Sequence, residues 1–447
     1  MLLLALLAAA DTLPADRPVA FVNVTVVTMD RPATLADQTV VVRDGRVAAL
    51  GPAGRTAMPD GAVRIEGRGR WLIPGLAEMH AHIPPGQATR EEIERVLFLY
   101  LANGITTVRG MLGAPQHLAI RDAAARGEIW SPRIVTSGPS VNGTSAPTPE
   151  AVARMVAEQH AAGYDFLKIH PGLSRATFDA MVAIADRLGM RFAGHVPADV
   201  GLDRALEARY ATIDHLDGFA EWLLADDAPA RGQPAFFFGV NYGGQLDLAR
   251  IPEAVRRTRA AGTWMVPTQV LMENLAGTEA PEALAARPEM RFASASAKAQ
   301  WTQQTNGFRS APGVTAAGRA DWLAMRQRLL KALHDGGVGI LLGSDAPQVW
   351  NVSGFSVHRE LQLYVQAGLS PREALATATV NVARFLGREA EGGTIAVGKR
   401  ADLVLLRGDP LADIRRTAAI EGVMIGGRWL DRVALDARLE AIAAAMR

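Results

Sequence analysis

Two histidines one residue apart, His80 and His82, close the apolar run WLIPGLAEMHAH. Side chains two apart on an extended strand point to the same side, so both imidazoles are expected in one cavity. Four more residues able to hold a metal stand at or near the ends of short apolar segments. Lys168 lies inside DFLKI, His195 closes RFAGH, His215 closes ATIDH and Asp345 closes GILLGSD. A lone buried histidine is usually a hydrogen-bonded core residue, and a single His-x-His is a weak signal. Here four of the nine histidines fall at equivalent strand ends, and that convergence points to a divalent metal centre. Lys168 needs its own reading, because an isolated buried ammonium is costly. As a neutral amine it could take up carbon dioxide and become a carbamate that bridges two cations as a carboxylate does. A buried structural ion pair is the alternative.

The elements that must position these residues follow a repeated pattern of helix, glycine and short apolar strand. EEIERVLFLYLANGITTVRG is the first clear unit, and PEAVARMVAEQHAAGYDFLKIH and WLAMRQRLLKALHDGGVGILLGSD are later ones. Apolar strands alternating with helices predict a parallel sheet covered by helices on its faces. With the strand before His80 and the one at PRIVTSG there are eight, which predicts an α/β fold of the (β/α)8 TIM-barrel type over residues 71–389. The flanks 18–70 and 390–435 are rich in alternating valine and isoleucine with Asp-Gly turns, and are expected to pair as one small β-sandwich domain built from both termini. Two stretches, 219–250 with its FFFGVNYGGQ segment and 272–318, interrupt the rhythm after strand ends and are read as substrate-covering loops.

The bulk composition is that of a globular enzyme: 447 residues, 49% hydrophobic and 21% charged. A formal net charge of +1 gives no reason to expect nucleic acid or an anionic membrane as partner. The absence of cysteine excludes disulfides and leaves only nitrogen and oxygen ligands for a metal. Residues 1–17, MLLLALLAAADTLPADR, have the apolar run and small residues of a secretory leader but lack its usual preceding positive charge. The expectation is a periplasmic or secreted protein with no membrane attachment once the leader is removed, and a cytoplasmic one as the alternative.

PGLAEMHAH, the ordered Lys, His and His at strand ends, GSD and the later GTIAVGKRADLVLL together resemble the amidohydrolase superfamily. Within it the chain looks most like the imidazolonepropionase-like enzymes with a carboxylated lysine, which resemble Xaa-Pro dipeptidases and ochratoxin-degrading amidohydrolases. The resemblance implies two divalent metals, with zinc the first choice. His80, His82 and Asp345 would hold the more buried one and His195 and His215 the more exposed one. Carboxylated Lys168 and a hydroxide would bridge them. Asp345 would take the proton of the attacking water and pass it to the leaving amine. The implied substrate is a small-molecule amide, an N-acyl amino acid or dipeptide, and the implied assembly is a homo-oligomer. The chain departs from relatives at Gly110, where many carry Asp after Arg109, and at SGPSVNGTSAP, which lacks the usual Gly-Gly-His.

Further candidates are His170, two residues after Lys168 and placed to contact a substrate carbonyl, and Tyr242, a hydrogen-bond donor in the long loop. His358 is a candidate support behind the ligands, while His117, His160 and His334 fall on helices away from strand ends. The competing functions are a cyclic-amide or lactone hydrolase, a mononuclear deaminase, for which a bridging lysine has little purpose, and a non-catalytic barrel scaffold.

Overall fold

The computed structural model describes residues 17–446. The expected leader lies outside the described residues apart from Arg17. Among the described residues no helix is long and apolar enough to cross a membrane.

Both termini feed one sheet. Its hydrogen-bonded order runs Arg428–Asp431, Ile420–Ile425, Leu403–Leu406, Trp71–Pro74, Val19–Val26, Leu35–Arg43, Arg46–Pro52, with Val63–Glu66 also pairing to Val19–Val26. The expected union of the two flanks is therefore observed, as a continuous eight-stranded mixed sheet and not as two separate sheets. The reason lies in Trp71–Pro74, which pairs in parallel with the first strand and antiparallel with Leu403–Leu406, joining the two halves. The sheet bends over its own core, so that Phe21 from one half meets the Trp429 ring from the other, edge-on at 5.2 Å. The Asp44-Gly45 dipeptide makes the tight turn between the second and third strands, both residues at positive φ (52° and 71°).

The middle of the chain holds two parallel sheets. One contains Leu76–Ala81, Ile105–Gly110 and Arg133–Thr136; the other contains Leu167–Ile169, Phe192–Gly194, Thr212–Asp214 and Trp264–Val266. Leu76–Ala81 is buried along its whole length, as a strand covered on both faces must be. Helices with ordinary start and stop signals separate the strands: Thr89 and Glu92 form a capping box before Arg90–Ala102, and Gly163 (φ 83°) ends Pro149–Ala162 in the left-handed conformation. Isolated parallel bridges join Ser137 to Phe166, Met265 to Ile340 and Ala81 to Ala346. The segment carrying Asp345 thus reaches both its neighbours without forming a regular strand. Leu341 N–H donates to the Met265 carbonyl (2.9 Å), and Asp345 N–H to the His80 carbonyl (3.0 Å). A side chain at Gly343 would lie 2.9 Å from the His80 backbone nitrogen, so the close approach needs glycine there.

The stretch 272–318, read as a substrate-covering loop without strand pattern, is largely helical. Gln269–Ala276, Pro281–Ala285 and Ala295–Arg309 are helices. Pro281 sits in the first turn of the second, and Ser294 caps the third by accepting from Ala297 N–H. The stretch 219–250 is mostly loop, with short helical turns at Phe219–Leu223 and Val240–Tyr242.

Candidate metal centre

The six residues singled out by strand-end position gather at one end of the two parallel sheets. His82 Nε2 lies 2.6 Å and His80 Nε2 3.4 Å from Asp345 Oδ1, and His215 Nδ1 lies 3.8 Å from Asp345 Oδ2. Ligand atoms of His80, His215 and Asp345 all fall within 4.8 Å of one another, and all three residues are buried. The tightest trio therefore takes His215 from one expected ligand group and His80 and Asp345 from the other. Both His215 and Asp345 have φ of 64°, a conformation that non-glycine residues adopt rarely and that here turns each side chain at the end of its segment. The His215 ring is oriented by Thr268, whose hydroxyl is 2.8 Å from the same Nδ1.

Lys168 occupies the centre of the fully buried strand Leu167–Ile169, and its Nζ has no hydrogen-bond partner among the described residues. Room for its stem comes from Gly194 on the adjacent strand, where a Cβ would stand 2.8 Å from Lys168 Cδ. The nearest carboxylate oxygen to the amine is Asp214 Oδ2 at 3.6 Å, and that same oxygen is 3.1 Å from His80 Nδ1. Asp214 Oδ1 accepts from Thr212 Oγ1 at 2.7 Å and from Arg109 Nη2 at 3.4 Å. Asp214 thus backs His80 on the side away from Asp345, the place where a carboxylate orients a ligating imidazole. Attention to strand-end residues alone passes it over. The signal is in ATIDH, where Thr212 and Asp214 put two polar groups on one face of an apolar strand.

His195 stacks on His215 with ring centroids 4.7 Å apart and lies 5.0 Å from the His170 ring. Its Nδ1 faces Asp217 Oδ2 at 3.3 Å, and that carboxylate is held by Val196 N–H at 3.0 Å. Burial is the largest cause of the shifts at four members of the cluster. It holds His80 and His215 well below an ordinary imidazole, pushes His195 down to about 3 and lowers Lys168. Neutral imidazoles and a neutral amine are the forms that bind cations and carbon dioxide.

The remaining candidates separate. His170 is beside the cluster, its Nδ1 2.7 Å from Ser140 Oγ in the SGPSVNGTSAP loop. Tyr242 packs inside its own loop among Leu224, Ala228 and Ala230, and its hydroxyl donates to the Gln233 carbonyl at 2.6 Å. The aromatic that reaches the histidines from that loop is Phe238, 5.0 Å from the His215 ring and 5.7 Å from that of His195. His358 pairs with Thr417 Oγ1 at 3.0 Å, within the contact of its helix with the C-terminal region, and so does not back the ligands. His117 is buried against the Pro84 carbonyl at 3.0 Å, His160 is exposed, and His334 lies 3.3 Å from Glu373.

Arg326, on the long helix Ala316–Asp335, escaped the sequence reading because nothing marks a mid-helix arginine as buried. Its guanidinium donates to the carbonyls of His215 (2.6 Å) and Pro267 (2.8 Å) and to Gln269 Oε1 (2.8 Å). Methionine there would leave all three buried acceptors unpaired, so Arg326→Met is expected to cost about 3 kcal/mol of stability, read from the denaturant midpoint. A midpoint unchanged from wild type would show that the clamp is not needed.

The sequence pattern of the amidohydrolase family matches residues 71–430. The chain therefore belongs to the amidohydrolase family, a class of metal-dependent hydrolases acting on C–N bonds. Over 413 residues it is 27% identical to imidazolonepropionase of Pseudomonas aeruginosa strain UCBPP-PA14, covering 90% of this chain and 93% of that one. A shorter match, 34% identical over 102 residues, is to dihydroorotase of Anaeromyxobacter sp. strain K, where it spans 23% of this chain and only 22% of the relative's length. Among solved structures, bottromycin amidohydrolase superposes with a TM-score of 0.73 at 25% identity, covering 97% of this chain and 92% of that one. A Xaa-Pro dipeptidase with bound methionine gives 0.68 at 20%, covering 93% and 100%. Ochratoxinase of A. niger gives 0.64 at 17%, covering 93% and 96%. The chain has the fold of these amidohydrolases, and the resemblance expected from its motifs is borne out.

Proposed function

We propose that the chain hydrolyses the amide bond of an N-acyl amino acid or dipeptide at a binuclear divalent metal centre in the mouth of a (β/α)8 barrel. The parallel bridges at Ser137–Phe166, Met265–Ile340 and Ala81–Ala346 support a closed barrel, since they link the two sheets and the Asp345 segment in a ring. The single observation that carries the metal reading is the Lys168 amine, buried and without a hydrogen-bond partner, beside a His80, His215 and Asp345 cluster. The donors are nitrogen and oxygen only, which fits zinc or another borderline divalent ion. His80, His82 and Asp345 would hold one ion, His195 and His215 the other, with Lys168 shared between them as its carbamate. That carbamate forms when the neutral amine attacks carbon dioxide, making an N–C bond and releasing a proton. When bound, the ions polarise the scissile carbonyl and lower the pKa of water.

The chain's own groups do the rest. Asp345, in contact with His82 and close to His80, is placed to accept the proton of the attacking water and to deliver it to the leaving nitrogen, which departs poorly as an anion. Phe238 screens the His195 and His215 rings from bulk water. His170, oriented by Ser140, is the neighbouring group for the substrate carbonyl.

The test is a hydrolysis screen of the zinc-loaded protein against N-acyl amino acids, dipeptides, cyclic amides and lactones. Turnover of the linear amides is expected to lead. Turnover confined to rings or lactones would replace the reading, and a metal-loaded protein with no turnover of any of them would favour a scaffold.

A further inference from the structure

Phe237 and Phe238 have φ of 32° and 58°, followed by Gly239 at 70°, so three successive residues of the loop lie in the left-handed region. For bulky aromatic residues this conformation is uncommon and persists only where surroundings impose it. The imposing contacts are specific. Trp322 Nε1–H donates to the Phe238 carbonyl at 3.0 Å, Phe236 N–H donates to Asn241 Oδ1 at 2.8 Å, and Val240 N–H donates to the Phe236 carbonyl at 3.1 Å. The result is a run of rings leading out from the metal ligands. Phe238 lies parallel to the His195 ring within 10°, Phe237 stands edge-on to Phe238 at 4.5 Å, and Phe308 of the helix Ala295–Arg309 meets both Phe237 and Phe236 at 5.4 and 5.8 Å. Phe236 and Phe237 remain 37% and 43% exposed, unusual for large apolar side chains and unnecessary for packing alone.

Resting on the amide-hydrolase reading above, we propose that this aromatic wall is the specificity surface of the site and selects substrates with a flat aromatic group next to the scissile carbonyl. Aromatic N-acyl amino acids and aromatic dipeptides are the class it fits, because an offset or edge-on ring against Phe237 and Phe238 gains area and quadrupole complementarity that an aliphatic chain does not.

The experiment compares kcat/KM for the N-acetyl and N-benzoyl derivatives of glycine and phenylalanine, in the zinc-loaded wild type, Phe237→Ala and Phe237→Tyr. At least one aromatic member is expected to exceed N-acetylglycine by about 30-fold in the wild type. That ratio should fall to within about threefold in Phe237→Ala, through KM, and be retained in Phe237→Tyr. Calorimetric binding of benzoate against acetate gives a readout without turnover, with a preference of about tenfold in the wild type that Phe237→Ala abolishes. Amides cleaved without aromatic preference, or a preference that survives Phe237→Ala, would overturn the proposal and leave the amide reading standing. No amide cleaved, with the benzoate preference present and Phe237-dependent, would overturn the amide reading and leave the wall standing. Neither turnover nor preference would remove both.

Discussion

Asp345→Asn is expected to lower kcat about 10³-fold while leaving the fold intact. The carboxylate stands 2.6 Å from His82 Nε2 and 3.4 Å from His80 Nε2, so in the proposed mechanism it would serve both as a ligand and as the proton carrier between water and leaving nitrogen. Asparagine keeps the shape but cannot carry a proton between water and leaving nitrogen. The backbone does not oppose the change, because the φ of 64° at this position lies in the left-handed region that asparagine tolerates as well as aspartate does. Steady-state kinetics with a thermal melt on the same sample checks this. A variant within threefold of wild-type kcat would remove Asp345 from the chemistry.

Lys168→Ala is expected to cost as much, about 10³-fold in kcat, for a different reason. Its amine has no hydrogen-bond partner among the described residues, only Asp214 Oδ2 at 3.6 Å, so the main loss expected is not that of a structural hydrogen bond but of the group that would join the two ligand sets. Removing the side chain vacates the space that its stem fills against Gly194, and a small carboxylate is expected to enter it. Acetate or propionate at millimolar concentration should therefore restore part of the activity in Lys168→Ala and none in Lys168→Met, whose side chain fills that space. Equal behaviour of the two variants, or activity near wild type in either, would return Lys168 to the ion-pair reading with Asp214.

The residues of the cluster were legible in the sequence because a parallel strand that is apolar throughout announces any polar residue at its end. His80, His82, His195, His215 and Asp345 needed no knowledge of how the strands pair, only of where each apolar run stopped. How they share out was not legible. That His215 comes as near to Asp345 as it does depends on the left-handed turns at both residues and on the Thr268 and Arg326 contacts, all of which come from distant elements. Asp214 was hidden by the histidine beside it. In the long loop the hydroxyl of Tyr242 drew attention as a polar group, but the same left-handed run that sends Phe238 to the histidines leaves Tyr242 inside the loop's own core. The stretch 272–318 lacks a strand pattern, as read, yet Pro281 and Ser294 are helix starts that mark it as helical.

The most direct test of the metal centre is the count of divalent ions per chain in the purified protein, by elemental mass spectrometry, with turnover followed as a chelator removes them. About two ions per chain are expected, with activity lost on chelation and regained on adding zinc. Full turnover from a protein stripped of metal, or a chain that binds none at all, would contradict the account.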